Sequence, residues 1–265
     1  MNQPERYASG IMAGLLTVFA CGAAIAQEHC VQTHADAQFS ESHDVQSARS
    51  GAQQADVAAL HACLVAPEDV LAGQDRFVLV DVRAPGEVAR LRIPDVLSLH
   101  LSDIDTSPFI SRDRPLVLVG DGTDTVRLLR ACVEARDTES SGISVLAGGV
   151  RAWHRAGGQV IGDIAKLELP WTVASSVIGE FTYLPGTWLV SDAMPSLPDI
   201  ASARRIDAAG HAPQVLAQRL RAQARTHPPL AILIMLQGND GLLPWRNAFL
   251  SAGLPEPMFH AQGID

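Results

Sequence analysis

Short apolar runs alternate along the chain with stretches at helical spacing. Phe77-Val78-Leu79-Val80 closes on Asp81, and Val96-Leu97-Ser98-Leu99-His100-Leu101, Leu116-Val117-Leu118-Val119 and Ile143-Ser144-Val145-Leu146 follow. Runs this short, rich in β-branched residues and bounded by Gly, Pro or Asp, read as strands. Between them, 57–64 and 67–72 read as short helical pieces, and 84–91 as a helix with Pro85 in its first turn. The spacing predicts a helix over 124–136, with Leu128, Leu129 and Cys132 on one buried face. Gly148-Gly149 reads as a turn, and a short helix carries Trp153. Strands alternating with helices predict an α/β fold: a parallel sheet flanked by helices on both faces. Such sheets place their sites beyond the strand C-termini. Asp81 and Gly120-Asp121 stand at two of these ends.

The strand Leu116–Val119 runs straight into Gly120-Asp121-Gly122-Thr123-Asp124-Thr125-Val126. Strand, tight loop and helix N-terminus together point backbone N–H groups at one place, which suits an anion. Here that place holds an aspartate. The same pattern recurs further on. Trp188-Leu189-Val190-Ser191-Asp192 echoes Phe77 to Asp81, and Arg205-Ile206-Asp207-Ala208 echoes Arg92-Ile93-Pro94-Asp95. The apolar run Ala231–Leu236 enters Gln237-Gly238-Asn239-Asp240, with Gln237 at the place of Asp121, and Phe259–Ile264 echoes Val145–Val150. The offsets are 111 for Asp81 to Asp192, 113 for Ile93 to Ile206, 116 for Asp121 to Gln237 and 114 for Gly149 to Gly263. Offsets this steady point to two degenerate copies of one unit. A helix over 212–226 is expected to bury Val215, Leu216 and Leu220 on one face.

The N-terminus reads differently. Residues 11–26 are uncharged and apolar, Arg6 lies upstream, and Ala24-Ile25-Ala26 supplies small residues at a cleavage site. This predicts a signal peptide over 1–26 and an exported protein, with a bacterial periplasm as the expected compartment and no stable membrane insertion after cleavage. Processing as a lipoprotein at Cys21 is a further reading. Residues 27–56 are polar and lack a hydrophobic period, so a flexible extension is expected there. The expected layout is then a domain over 57–162, a linker over 163–182 and a second domain over 183–265. The formal net charge of −9 argues against nucleic acid, which needs clustered Lys and Arg.

Of four cysteines, Cys30, Cys63 and Cys132 survive cleavage. Cys132 reads as a small core residue. Cys30 and Cys63 both lie N-terminal to the first predicted strand of the sheet, so a disulfide between them is expected in an oxidising compartment. Each has a histidine close by, His29 and His61, so a tetrahedral metal site is an alternative. The pairs lack the spacing of a metal signature, and neither metal nor cofactor is expected.

These residues resemble the rhodanese (sulfurtransferase) family over about 66–160. Leu79-Val80-Asp81-Val82-Arg83 with Glu87 resembles its first signature, and Gly148-Gly149-Val150-Arg151-Ala152-Trp153 its closing one. The Ile93-Pro94 pair survives from a Gly-His-Ile-Pro-Gly-Ala stretch, and the family's second glycine is Asp95 here. The resemblance implies a loop after Leu116–Val119 in which backbone N–H groups hold a catalytic cysteine as thiolate or persulfide. That position is Asp121. A carboxylate can accept the same N–H groups, yet it cannot carry a sulfane sulfur. Tandem members of the family have a non-catalytic half whose loop also reads Asp-Gly.

Three function classes follow. One is an inactive binding or scaffold module for an anion, a sulfur carrier or a protein partner, with no catalytic residue. The second is an exported sulfurtransferase using a cysteine outside the loop. The third handles metal or redox chemistry through Cys30 and Cys63. Arg83 and Glu87 are expected to form an (i, i+4) ion pair.

Overall fold

The computed structural model describes residues 56–104, 106–107, 113–137, 142–182, 184–192, 203–237 and 241–262. The signal peptide, Cys21, Cys30, His29, nearly all of the polar extension, and Gly238, Asn239 and Asp240 lie outside the described residues.

Helix α1 covers 56–62. The first sheet is then built from β1 (Leu64–Val65), β2 (Val78–Asp81), β4 (Leu97–Ser98), β5 (Leu116–Val119) and β6 (Ile143–Leu146), in the order β1-β6-β5-β2-β4. Every pairing in it is parallel. The crossovers carry α2 (Pro67–Ala72), α3 (Pro85–Arg90) and α4 (Thr125–Asp137), and α5 (Gly149–Arg155) follows β6. Prolines open α2 and α3, where a missing N–H costs no intrahelical bond. The second sheet uses β8 (Trp171–Thr172), β9 (Thr187–Ser191), β10 (Arg204–Asp207), β11 (Ala231–Gln237) and β12 (Met258–Gln262). Its order is β8-β12-β11-β9-β10, again all parallel. The two sheets therefore repeat one strand order, as two copies of one unit would.

The central strands of a sheet covered on both faces have no solvent side. Accordingly β5 is buried at all four positions and β9 at all five. Apolar side chains fill three layers. Val70, Val117, Val119, Val150 and Trp153 pack on the outer face of the first sheet. Leu118, Leu129, Phe181, Leu189 and Leu233 belong to one continuous core shared by both sheets. Trp188, Leu216, Leu220, Phe249 and Phe259 pack with α8 (Pro213–Ala224) and α9 (Leu242–Ser251) on the far side.

Several expectations need correction. Cys63 is bonded to Cys132, not to Cys30, with Cα atoms 6.1 Å apart and both side chains fully buried. Helix α1 delivers Cys63 to the start of β1, which pairs with β6, and α4 packs across β6. Cys63 is thus part of the fold. The stretch expected as a linker, 163–182, holds α6 (Ala165–Glu168), β8 and α7 (Ser175–Thr182), and β8 closes the edge of the second sheet. In the strand order β10 stands in the place of β4, so Arg205-Ile206-Asp207-Ala208 does not correspond to Arg92-Ile93-Pro94-Asp95. Those earlier residues leave the first sheet, and β3 (Leu91–Arg92) pairs antiparallel with β7 (Ile161–Gly162). On α8, Leu216 and Leu220 are buried as expected, but Val215 is 63% exposed.

Candidate active-site loop

The loop 120–126 leaves the sheet centre and enters α4. Gly120 contributes its carbonyl oxygen to Val150 N–H at 3.0 Å. Gly148 and Gly149 adopt φ of 68° and 56°, and a Cβ on Gly149 would collide with that same carbonyl. The paired glycines thus let the N-terminus of α5 close against the loop. Gly122 has φ 98°, and a Cβ there would strike the Trp171 ring. Trp171, from the edge of the second sheet, therefore covers the first loop.

Asp121 is half-buried. Its Oδ1 accepts Thr123 N–H and Thr123 Oγ1–H, both at 2.7 Å. Thr125 Oγ1 donates to Gly122 O at 2.6 Å. The Asp124 carboxylate packs against Gly120, and its Oδ1 is buried with no hydrogen-bond partner among the described residues. Burial pushes the Asp124 carboxyl up to about 6, and the neighbouring Asp121 charge adds to the rise. Arg127 approaches Asp124 only at 4.0 Å and is largely exposed. Glu87 is also raised, by burial first and then by Asp121, against the lowering pull of Arg83. Three carboxylates thus share the mouth of the loop. An incoming anion would meet their combined repulsion.

Asp81 and Arg83 sit beside this mouth, both buried. Arg83 Nε donates to Asp81 Oδ1 at 2.9 Å and Nη2 to Oδ2 at 2.7 Å. The same Nη2 donates to Leu91 O at 2.6 Å. The expected Arg83–Glu87 pair is therefore replaced: the bidentate partner of Arg83 is Asp81, two residues away on the end of β2. Trp153 is buried and donates Nε1–H to Gln159 O at 3.0 Å, so it anchors the chain after α5.

Sequence reasoning missed a second cluster. Glu256 accepts from Arg151 Nη2 at 2.9 Å, from Arg246 Nε at 2.7 Å and from Arg155 Nη1. Arg151 also donates to the carbonyls of Lys166, Leu167 and Leu169, and its guanidinium lies over the Trp171 ring at 5.6 Å. Burial alone would raise the Glu256 carboxyl, but the bonds and charges of the arginines outweigh it and hold it below the usual range. This cluster ties α5 to α9 and fixes the tryptophan over the loop. Arg151 lies inside the closing signature, but nothing in the sequence marks Glu256, 105 residues away, as its partner.

In the second sheet Met235 lies beside Ser191 as Val119 lies beside Asp81. Gln237 then follows Met235 by the same two positions that separate Asp121 from Val119. Among the described residues, no group of three or more His, Cys, Asp or Glu side chains is arranged to hold a metal ion. His61 Nε2 lies 3.0 Å from Pro228 O. Among the same residues, no helix is long and apolar enough to cross a membrane.

No family model matches the chain. Among solved structures, a rhodanese-related protein from Thermoplasma volcanium is 19% identical with a TM-score of 0.32, over 37% of this chain and 97% of that one. Thiosulfate sulfurtransferase from Pseudomonas aeruginosa is 18% identical with a TM-score of 0.32, over 75% of this chain and 40% of its own. A sulfurtransferase from Allochromatium vinosum is 36% identical over 89 residues, which span 33% of this chain and 80% of that protein. That identity over most of a sulfurtransferase, in a chain whose parallel sheet leads into a glycine-lined loop at the N-terminus of a helix, establishes that the chain belongs to the rhodanese-like sulfurtransferase family.

Proposed function

We propose that this protein is an exported tandem rhodanese-like protein in which Asp121 stands where active relatives carry cysteine, and that it acts as a binding or scaffold module without transferring sulfur. The carrying observation is Asp121 itself. Its Oδ1 takes the loop N–H of Thr123 and the Thr123 hydroxyl, so the loop anion is built in. A carboxylate oxygen cannot hold a sulfane sulfur as a thiolate does. Asp124 and Glu87 add negative charge at the same mouth, against the binding of thiosulfate. The repeated strand order supports a duplication, and the equal spacing of Asp121 and Gln237 supports a second loop that also lacks cysteine. The Cys63–Cys132 bond supports an oxidising compartment. It also withdraws both described cysteines from any role as an exposed nucleophile. The partner in this reading is a protein or a small anion.

The test is thiosulfate-to-cyanide sulfur transfer by the mature protein, beside Asp121→Cys. The natural protein is expected to show no transfer above background. Turnover that survives Asp121→Asn and disappears with Cys30→Ser would replace this reading with that of a sulfurtransferase using a cysteine outside the loop.

A further inference from the structure

Trp153 and Trp171 are held in different ways. Trp153 is fully buried, and its Nε1–H donates to Gln159 O. Trp171 is half-buried, and its Nε1–H makes no hydrogen bond among the described residues. Its strand, β8, has two residues and stands at the edge of the second sheet, paired with β12 alone. The far edge of the indole rests on Gly122, where the missing side chain leaves room for it. The Arg151 guanidinium lies over the ring at 5.6 Å.

Both of those supports are fixed. Gly122 belongs to the loop that α5 closes against through Gly120 O. Arg151 donates from Nε and Nη2 to Glu256, from Nη1 to Lys166 O, and from Nη2 to Leu167 O and Leu169 O. The indole is bonded to neither support. Dispersion at Gly122 and a cation–π contact with Arg151 hold it, and neither carries the directional demand of a hydrogen bond. A side chain held in this way rotates off the loop without orphaning a polar group. Asp121, next to Gly122 in the chain, stays half-buried under this cover.

We propose that Trp171 is a gate over the Asp121 loop. Closed on Gly122 and Arg151, it admits small ions to position 121 and excludes bulkier groups until the indole swings aside. The gate rests on the reading of residues 120–126 as the loop through which this protein meets its partner, and it sets the size of what arrives there.

The experiment labels a thiol placed in the loop. Asp121→Cys in a Cys30→Ser background gives the oxidised mature chain one reactive thiol, since Cys63 and Cys132 are bonded to each other. Its rates of modification by iodoacetamide and by fluorescein maleimide are followed by intact mass at one pH. Each rate is divided by that of the same reagent on the same chain in urea. Folding is expected to slow the maleimide at least tenfold more than iodoacetamide. Trp171→Ala is expected to abolish that difference by speeding the maleimide, and Trp171→Phe to reduce it. Val215→Ala, at an exposed position on α8, is expected to change neither rate. Equal slowing of the two reagents in the chain that keeps Trp171 overturns the proposal. So does an unchanged difference in Trp171→Ala, or in Trp171→Phe should the alanine variant not fold by circular dichroism. A rise in both rates alike marks a loosened loop rather than an opened gate, and also overturns it. Sulfur loading is not read in this assay. A thiol without size selectivity, in a chain whose natural form transfers no sulfur, removes the gate and leaves the reading of the loop intact. A size-selective thiol, in a chain whose natural form does transfer sulfur, supports the gate and removes that reading.

Discussion

Replacing Cys63 and Cys132 together by alanine removes a cross-link between residues 69 apart in sequence. In the native state both sulfurs are fully buried, so little solvent is admitted. The main effect falls on the unfolded chain, which regains the freedom of that loop. The chain-entropy relation for a loop this long gives about 15 cal/mol/K, or about 4 kcal/mol at 25 °C. For a folded unit of this size that corresponds to a fall in Tm of roughly 8–16 °C. The assay is urea unfolding of the oxidised natural protein and the double alanine variant, followed by circular dichroism and tryptophan fluorescence. The variant is expected to unfold at lower urea with an equal or larger m value, because its unfolded state exposes more surface. A non-reducing digest of the natural protein is expected to release one peptide pair containing Cys63 and Cys132. A stability difference below about 1 kcal/mol would refute the entropic reasoning. A pair joining Cys30 to Cys63 would refute the bond itself.

Other outcomes follow from the same structure. Glu256→Gln leaves Arg151, Arg155 and Arg246 without their shared anion, and is expected to cost about 3 kcal/mol or more by denaturant titration. The natural carboxyl lies below its usual value in the folded state, so its contribution is present above the unfolded pKa and is lost as pH falls through the lower folded value. Asp124 works in the opposite sense. Its folded pKa is raised from 3.8 to about 6, so its favourable contribution is full below 3.8 and is lost as pH rises through about 6. Asp124→Asn is therefore expected to stabilise the protein by about 3 kcal/mol at pH 8 and by nearly nothing at pH 3.5, read as the difference between two pH–stability curves. Asp95 holds a φ of 59°, which favours glycine; Asp95→Gly is expected to stabilise by about 0.5–1 kcal/mol in thermal unfolding.

The strands and the loop were legible because buried parallel strands are near-continuous apolar runs, and β2, β5, β6, β9 and β11 are of that kind. Asp81, Arg83, Gly148 and Gly149 could be placed because their signatures follow directly on those strands. Short-range geometry was less legible. Arg83 has two acidic neighbours, and a helical spacing favoured Glu87, but the end of β2 presents Asp81 to the guanidinium at closer range. The edge strand β8 has two residues and no periodicity to detect, so the stretch around it read as a linker. Long-range pairs left no trace. Nothing local joins Cys63 to Cys132 or Glu256 to Arg151, because each contact exists only after the strands are ordered. Val215 illustrates the limit of a helical face read without its neighbours: it borders the apolar stripe of α8, but the stripe that packs is centred on Leu216 and Leu220.

The central claim is that Asp121 ends the sulfur chemistry of this loop. The most direct measurement is the intact mass of the mature protein and of Asp121→Cys after incubation with thiosulfate and removal of excess reagent. The account predicts an unchanged mass for the natural protein and a gain of one sulfur atom for the variant, removed by cyanide. A cyanide-labile sulfur on the natural protein would contradict it.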